Sequence, residues 1–194
     1  MSALREIVTG RLLLRPFQAA DLASFARYRA TEAVARYQSW SPSYSMADAE
    51  AFFAEQQGVT FGQRGAWVQV AAVDRATGEL AGDCAVRIAD DQRDTAEVGV
   101  TFAPEHQGKG LAREALGAVV TRLFDEHGIH RVYAETDDRN TAVHHVLERL
   151  GFRCEARLVD ADWFKDEWTT LRIYAALRRD WPGPRVSAQP KLAS

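Results

Sequence analysis

Residues 97–116 read EVGVTFAPEHQGKGLAREAL, and the secondary structure that the sequence predicts changes within this stretch. Alternating apolar residues that end at Phe102 predict a β-strand, which Pro104 stops. From Gly108 onward, apolar residues recur at helical spacing, and this periodicity continues as far as Gly128, a residue suited to end a helix. The stretch therefore predicts a strand, a short loop and a long amphipathic helix in direct succession.

Two glycines, Gly108 and Gly110, separate the predicted strand from the predicted helix. Glycine inside a regular element is less favourable than alanine by roughly 0.5–1 kcal/mol, so two together indicate that the backbone itself is needed there. A strand that enters a helix through such a turn presents free N–H groups at the positive end of the helix dipole, which favours a phosphate. The loop lacks the third glycine of the dinucleotide fingerprint, and the chain has no Walker P-loop pattern. The sequence thus predicts a phosphate-binding loop of a different kind.

The N-terminal part predicts a strand, two helices and a group of strands in that order. The apolar run over residues 11–16 predicts the first strand, and Asp21 opens a helical pattern. Ser45 and Asp48 form a capping signal for a second, shorter helix. Two β-prone runs then meet at a turn in which Gly78 suits a positive φ, and the strand of the opening stretch follows them.

After the long helix, the sequence predicts a strand, a helix from about Asn140 to Leu150 and two further strands. We therefore expect an α/β (α+β) fold, with a single mixed, mostly antiparallel twisted sheet of about seven strands and helices on both faces. The chain shows no internal repeat and no interdomain linker. We expect one domain over residues 1–181 and a flexible tail over residues 182–194.

Composition excludes several classes of function. The chain has 194 residues, 46% of them hydrophobic, and a formal net charge of -3, which disfavours a nucleic-acid partner. Cys84 and Cys154 show neither C-x-x-C nor Cys/His ligand spacing, so we expect no disulfide framework and no metal site. No apolar stretch is long enough for a signal peptide or a membrane span, so we expect a cytoplasmic protein without a membrane partner.

The glycine loop is similar to a signature of a known enzyme family. Residues 107–112, QGKGLA, resemble the Gln/Arg-x-x-Gly-x-Gly/Ala motif of the GNAT superfamily of N-acetyltransferases. Residues 139–152, RNTAVHHVLERLGF, resemble the second half-motif of that family, and residues 9–25, TGRLLLRPFQAADLASF, are similar to its RimJ/RimL-like branch. The resemblance extends from about Thr9 to Trp181 and implies a GNAT-like fold.

The resemblance also implies which residues bind acetyl-CoA. In this family, amides of the glycine loop hold the pyrophosphate, and the backbone of a splayed strand pairs with the pantetheine arm. Gly99 is compatible with a bulge in that strand. Asn140 has two compatible roles, as a helix N-cap and as a partner of the cofactor arm. Carried over to this sequence, the cofactor-binding residues are Phe102, Ala103, Gln107, Gly108, Lys109, Gly110, Leu111, Ala112 and Asn140.

Acetyl transfer needs a neutral amine, and an amine with an ordinary pKa of about 8–10.4 requires a base at neutral pH. Glu97 is the candidate general base. It lies on the strand that precedes the glycine loop, on the face opposite the apolar residues, and it matches an acidic residue often found there in the branch that the sequence resembles. A solvated carboxylate and an ion-pair partner are the alternative interpretations of Glu97.

The leaving thiolate has no evident acid in this sequence. Related enzymes often carry a serine and a tyrosine where this chain has Val143 and Leu147, and neither of these can donate a proton. His144 and His145 are close in sequence, but we expect both to be solvated. A thiol with a pKa of about 8.5 can be reprotonated by water or by the ammonium product, so a dedicated acid is dispensable.

Two loops are expected to flank the acceptor cleft in this fold, namely residues 36–45 and residues 160–168. Trp40 and Trp163 are the predicted acceptor-binding residues, as flat apolar walls, with simple packing as the alternative for each. The second loop is rich in acidic residues. Its charge favours a cationic acceptor, although a hydrophilic hairpin loop explains the composition equally well.

Together these features predict an N-acetyltransferase that transfers acetyl from acetyl-CoA to a primary amine by direct attack in a ternary complex. The amine belongs to a small molecule or to a protein N-terminus. Two alternatives stay open: a non-catalytic acetyl-CoA-binding sensor, which the missing acid favours, and a tRNA-directed acetyltransferase, which the acidic charge balance disfavours. A homodimer is compatible with the sequence.

Overall fold

The computed structural model describes residues 6–183, which form eight strands and five α-helices. The strands are β1 (Ile7–Val8), β2 (Leu12–Pro16), β3 (Trp67–Asp74), β4 (Leu80–Ile88), β5 (Thr95–Phe102), β6 (Arg131–Asp137), β7 (Arg153–Phe164) and β8 (Glu167–Leu177). The helices are α1 (Leu22–Arg29), α2 (Glu32–Ala35), α3 (Met46–Gln56), α4 (Leu111–Glu126) and α5 (Thr141–Arg149). Apart from its first two residues, the tail predicted for 182–194 lies outside the described residues.

All eight strands form one sheet in the order β1-β2-β3-β4-β5-β6-β8-β7. Neighbouring strands are antiparallel, except for β5 and β6, which are parallel. The expected single, mixed and mostly antiparallel sheet is confirmed. It has one strand more than the sequence predicts, because β1 contains only 2 residues and is too short to show an alternating pattern.

The helix boundaries follow capping signals in the sequence. Ser45 Oγ accepts the Asp48 amide at 3.2 Å, and Asp48 Oδ2 accepts the Ser45 amide at 2.7 Å, which closes the predicted capping box at the start of α3. α4 ends just before Gly128, whose φ of 65° lies in the left-handed region. The first predicted helix is divided into α1 and α2, because the chain is extended at Thr31.

Helices cover both faces of the sheet, as expected. α4 and α5 cover one face, where Leu116, Val119 and Leu123 are buried against apolar strand residues. α1 and α3 cover the other face, where Phe25 stacks on Phe52 with ring centroids 5.0 Å apart. Burial of each such side chain contributes about 1.5–3 kcal/mol, so the sheet is fixed from both sides. None of the helices within residues 6–183 is long and apolar enough to cross a bilayer.

The sheet opens between β5 and β6. These strands pair only over residues 95–97, opposite residues 131–133, whereas β6 stays paired with β8 along its whole length. From Val98 onward, β5 is held by β4 alone. The register between β4 and β5 contains no shift, so the bulge considered at Gly99 is absent. The opening arises instead because β6 follows β8 away from β5, and this leaves a wedge between two parallel strands.

Candidate active site

A cleft runs through the opening between β5 and β6 and consists of two connected chambers. The loop chamber, with a volume of about 510 Å³, lies beside the glycine loop and one face of α5. The hairpin chamber, with a volume of about 480 Å³, lies between β5, β6 and the hairpin of β7 and β8. The chambers are continuous, because they share lining residues: Tyr37, Gln38, Val100, Asn140 and Val143.

The glycine loop between β5 and α4 carries a row of amides without a protein partner. Gly108 and Gly110 have φ angles of 71° and 77°, which L side chains rarely adopt. An added Cβ would meet nothing within 4 Å at Gly108, so conformation and not crowding within the protein explains that glycine. Within the described residues, the amides of residues 108–112 donate to no protein group. They stand at the N-terminus of α4, where the helix dipole favours an anion.

Gln107 attaches the glycine loop to the end of β5. Its amide donates to Pro104 O at 3.2 Å, and its side-chain Nε2 donates to Phe102 O at 2.8 Å. The amide of Ala103 also has a protein partner, because it donates to Ala81 O at 2.9 Å, and Ala103 is buried. The row of unpaired amides therefore begins after Gln107.

β5 presents free backbone groups to the cleft. The Thr95 carbonyl and the Ala103 amide bond towards β4, and in an antiparallel ladder both backbone groups of one residue point to the same side. The backbone groups of Val98, Val100 and Phe102 therefore point away from β4, but the Phe102 carbonyl is already bonded to Gln107 Nε2. Val100 has no residue of β6 opposite it and lines both chambers. Its amide and carbonyl are available to a ligand in the cleft.

Arg11 and Glu114 fasten the glycine loop to the N-terminal strands. Arg11 Nη1 donates to Lys109 O at 2.8 Å, and Arg11 Nε donates to Glu114 Oε2 at 2.7 Å. Glu114 Oε1 also accepts from the Arg11 amide and from Thr9 Oγ1, both at 2.7 Å. Burial alone would raise the pKa of Glu114, but these donors outweigh burial and lower it. This Arg11–Glu114 clip holds the Lys109 carbonyl on the protein side of the loop.

Glu97 lies on β5, next to the wall of the cleft. It lines neither chamber, whereas the following residue, Val98, lines the hairpin chamber. Tyr133 Oη donates to Glu97 Oε2 at 3.2 Å. Burial, and then the negative charge of Glu135, raise the pKa of Glu97 above its ordinary value. Burial and the charge of Glu97 raise the pKa of Tyr133 to about 12, so Tyr133 remains a hydrogen-bond donor at neutral pH.

The two chambers carry opposite charge within the part of the chain that the structure describes. Four basic residues line the loop chamber, namely His106, Arg113, His145 and Arg149. No described carboxylate lines it. Three acidic residues line the hairpin chamber, namely Glu135, Asp137 and Asp162. No described Lys, Arg or His lines it. The cleft therefore suits an anion at one end and a cation at the other.

A sequence model described as an acetyltransferase (GNAT) domain matches residues 11–153. The chain belongs to the GNAT family. The matched region contains the Arg11–Glu114 clip, the open edge of β5, the glycine loop and α5, so the family assignment rests on the same residues that build the cleft. It also agrees with the resemblance to the RimJ/RimL-like branch.

Relatives along nearly the whole chain carry the same fold. An uncharacterized N-acetyltransferase, p20, of Bacillus licheniformis is 24% identical over 91% of this chain and 98% of its own length. A spermidine N-acetyltransferase of Vibrio cholerae, solved with CoA and spermine, superposes with a TM-score of 0.75 at 22% identity over 89% of this chain and 98% of its own. RimL, a ribosomal L7/L12 alpha-N-protein acetyltransferase solved with coenzyme A, superposes with a TM-score of 0.75. The two chains are 19% identical over 88% of this chain and 96% of the RimL chain.

Most of the residues carried over from the GNAT motifs gather at the loop chamber. Its walls include Phe102, Gln107, Gly108, Gly110, Leu111, Ala112 and Asn140. Ala103 and Lys109 do not line it, and the Lys109 carbonyl is bonded to Arg11. Asn140 caps α5, because its Oδ1 accepts the Val143 amide at 3.4 Å, which confirms the expected N-cap. Contact of these residues with a cofactor stays a prediction.

Trp40 and Trp163 lie away from both chambers of the GNAT cleft. The guanidinium of Arg29 lies 3.7 Å from the ring centroid of Trp40, which packs against the core beneath α1 and α3. Trp163 is 58% exposed near the end of the hairpin and contacts Trp168. Their predicted acceptor contacts gain no support from these positions, because neither indole lines the cleft.

Hydrogen bonds hold the hairpin of β7 and β8 against residues outside the hairpin. Lys165 Nζ donates to Ala35 O at 2.6 Å and to Trp40 O at 3.0 Å. Arg139 Nη1 donates to Glu167 Oε1 at 2.8 Å. These bonds connect the hairpin to the end of α2, to the segment that follows α2 and to the loop after β6. Of the four carboxylates in residues 160–168, the one on Glu167 is ion-paired with Arg139.

The two histidines of α5 differ, and the expectation that both are solvated is wrong for His144. His144 Nε2 lies 3.1 Å from Thr136 Oγ1, and its buried ring stacks on Tyr174 with centroids 5.3 Å apart. Burial, and then the positive charge of Arg172, lower the pKa of His144, which is therefore neutral at pH 7. His145 is exposed and lines the loop chamber, as expected of a solvated residue.

Proposed function

We propose that this protein transfers the acetyl group of acetyl-CoA to a primary amine that carries positive charge. The row of unpaired amides at residues 108–112, beside the loop chamber, carries the proposal. These amides can satisfy the oxygens of a diphosphate while the dipole of α4 favours its charge. The complexes of RimL and of the spermidine N-acetyltransferase with coenzyme A support this choice.

The open edge of β5 is the part of the chain that fits the pantetheine arm. That arm contains amide groups, which can pair with an unpaired strand edge as a further strand would. Val100 offers both of its backbone groups at the point where the two chambers meet, and Asn140 lines the opposite wall. The thioester would then lie near the junction of the chambers, between the basic and the acidic end.

Bound acetyl-CoA supplies an acetyl thioester, which an amine converts into an amide with release of the thiol. The amine must first lose a proton, and Glu97 accepts it through an intervening water, since the carboxylate stands behind the chamber wall. Its raised pKa makes it a better base than an ordinary glutamate. Tyr133 holds the carboxylate in place through its hydrogen bond. Val143 and Leu147 provide no acid, so the thiolate takes its proton from solvent or from the protonated nitrogen that has attacked the thioester.

The acidic hairpin chamber selects the acceptor class. Glu135 and Asp162 attract an ammonium group towards the junction of the chambers. The other residues that line the hairpin chamber are mostly uncharged, so they can contact the carbon chain that carries this ammonium group. A polyamine and the N-terminal end of a protein both offer such a group. The named substrates of the spermidine N-acetyltransferase and of RimL are amines of these two kinds.

A non-catalytic sensor is the second candidate function. The absence of a side-chain acid at Val143 and Leu147 favours it, because a protein that only binds acetyl-CoA needs no acid. The raised pKa of Glu97 favours the enzyme, because a sensor has no use for a base at that place. The tRNA-directed alternative is disfavoured, because none of the described residues that line the hairpin chamber is basic.

The test is thiol release from acetyl-CoA in the presence of an amine panel, with mass spectrometry of each acceptor. The panel contains spermidine, a peptide with a free N-terminus, the same peptide with a blocked N-terminus and a neutral alcohol. An enzyme releases thiol only with the free amines and adds an acetyl group to them. Tight binding of acetyl-CoA without thiol release from any amine would instead establish the sensor.

A further inference from the structure

Two arginines on the wall of the loop chamber have no ion-pair partner among the residues that the structure describes. Arg113 lies in the first turn of α4, and Arg149 is the last residue of α5. Both are exposed and both line the loop chamber. Within residues 6–183, neither forms a salt bridge or a hydrogen bond through its side chain, whereas most other described arginines are paired with a carboxylate. The positive charge of the chamber wall therefore remains available.

The acidic residues next to these arginines are occupied elsewhere. Glu114 follows Arg113 in sequence but belongs to the Arg11–Glu114 clip. Glu148 precedes Arg149 but accepts the Tyr174 hydroxyl at 3.0 Å. Two carboxylates that could neutralise the arginines thus point to other partners, and the wall keeps two guanidinium groups facing one chamber.

The position of the arginines differs from that of the loop amides. α5 rises about 1.5 Å per residue, so Arg149 lies roughly 13 Å along the helix from Asn140, which marks the junction of the chambers. Arg113 follows Ala112 in the first turn of α4, directly beyond the glycine loop. A molecule held at its diphosphate by the loop and at its thioester near the junction would extend its remaining part towards Arg113 and Arg149.

We propose that Arg113 and Arg149 bind the 3′-phosphate of the adenosine of acetyl-CoA and thereby select CoA over its 3′-dephospho form. A phosphate monoester is a dianion near neutral pH, and guanidinium groups bind it with paired, charge-assisted hydrogen bonds. This inference rests on the proposed function, since it assigns one further part of the same cosubstrate to two residues that are not among the cofactor-binding residues carried over from the GNAT motifs. It concerns a different phosphate from the one that the loop amides hold.

Isothermal titration calorimetry with CoA and with 3′-dephospho-CoA tests this assignment without any acetyl transfer. The proteins are the wild type, Arg113→Gln, Arg149→Gln, the double variant and Arg93→Gln as the control. Arg93 is 94% exposed in the turn between β4 and β5 and lies outside the cleft, so its replacement changes net charge equally without touching the site. Glutamine is a good helix former, which keeps α4 and α5 intact.

We expect wild type and Arg93→Gln to bind CoA roughly tenfold or more tightly than 3′-dephospho-CoA, as charge-assisted hydrogen bonds to phosphate imply. In the double variant the two ligands should bind equally, while affinity for 3′-dephospho-CoA stays unchanged. Equal binding of both ligands to wild type would overturn the assignment, as would a preference for CoA that survives in the double variant. Failure of both ligands to bind wild type would overturn the proposed function itself.

Discussion

Gly108 and Gly78 have the same backbone conformation in very different surroundings. Their φ angles are 71° and 75°, and neither position has an atom within 4 Å of an added Cβ. Gly78 lies in the turn between β3 and β4, whereas Gly108 lies in the glycine loop. A substitution at Gly78 therefore measures the conformational cost alone. The same substitution at Gly108 adds the effect of a side chain at the proposed phosphate site.

We expect Gly108→Ala and Gly78→Ala to lower the free energy of unfolding alike, by about 1 kcal/mol, because both force an L side chain into the left-handed region. Only Gly108→Ala should weaken CoA binding, since its methyl group projects from the backbone that a phosphate approaches. Chemical denaturation and titration calorimetry give the two quantities. If both variants bound CoA as wild type does, the glycine loop would not be the phosphate site.

Glu97 predicts a particular pH dependence of acetyl transfer. A base acts only when ionised, and the pKa of Glu97 is raised, so activity should fall as pH decreases through a value above the ordinary glutamate pKa of about 4.3. Glu97→Gln should lower kcat by roughly 100-fold or more and abolish this acidic limb, with CoA affinity unchanged. Stopped assays of initial rate across pH measure both effects. An unchanged limb in Glu97→Gln would exclude Glu97 as the base.

His144 makes the stability of the fold depend on pH. Its folded pKa lies below that of an unfolded histidine, about 6.5, so the unfolded chain binds more protons as pH decreases below that value. His144 therefore favours folding fully above pH 6.5 and progressively less below it. His144→Phe keeps a ring to stack on Tyr174 and should reduce the loss of unfolding free energy between about pH 7 and pH 5. Urea denaturation at both pH values measures this loss for His144→Phe and for His145→Phe, the exposed control. If both variants lost the same unfolding free energy between about pH 7 and pH 5, His144 would not have this role.

At the scale of elements, the Arg11–Glu114 clip joins the N-terminal strands to the first turn of α4. We expect Arg11→Ala to raise the Kd for CoA roughly tenfold, because the freed Lys109 carbonyl can turn towards the phosphate and repel it. At saturating cosubstrate, kcat should remain that of wild type, since the reaction is placed at the junction of the chambers and Lys109 lines neither chamber. Titration calorimetry and steady-state kinetics separate the two effects.

Arg153→Ala is the matched control for Arg11→Ala. Its side chain is 57% exposed against 52% for Arg11, and it pairs with Asp180 at 3.3 Å, away from the cleft. Both variants remove one exposed arginine and its ion pair, but only Arg11→Ala also removes the hydrogen bond to the Lys109 carbonyl. The clip would have no positioning role if the two variants shifted CoA affinity equally.

The sequence predicts elements that depend on local chemistry. Helical periodicity, the capping box at Ser45 and the glycine at the end of α4 each act within a few residues, so they can be seen without the fold. The glycine loop is predictable for the same reason, because its function depends on consecutive amides. Even His144 carries a local signal, since it stands three residues before the buried Leu147 on the same face of α5.

Features that depend on distant pairing could not be predicted from the sequence. The opening between β5 and β6 arises because β6 follows β8, and no residue of β5 encodes that choice. The position of Trp40 depends on Arg29, whose guanidinium lies between aromatic rings beneath α1 and α3. The separation of basic and acidic linings likewise appears only when α4, α5 and the hairpin are brought together.

At the scale of the whole molecule, one sheet supports both sets of helices and also opens to form the cleft. Because both cores lie against that sheet, we propose that residues 1–181 form a single domain. The parallel step between β5 and β6 interrupts an otherwise antiparallel sheet, and both chambers meet there. The architecture thus places a site for an anion and a site for a cation on two sides of one gap.

We propose that the unpaired amides of residues 108–112 bind the diphosphate of CoA. Amide chemical shifts of ¹⁵N-labelled protein, followed by NMR during a titration with CoA, test it most directly. The largest changes should fall on residues 108–112, with further changes at Val100, and little change in the turn at Gly78. Saturable binding of CoA that leaves the amides of residues 108–112 unshifted would contradict the account.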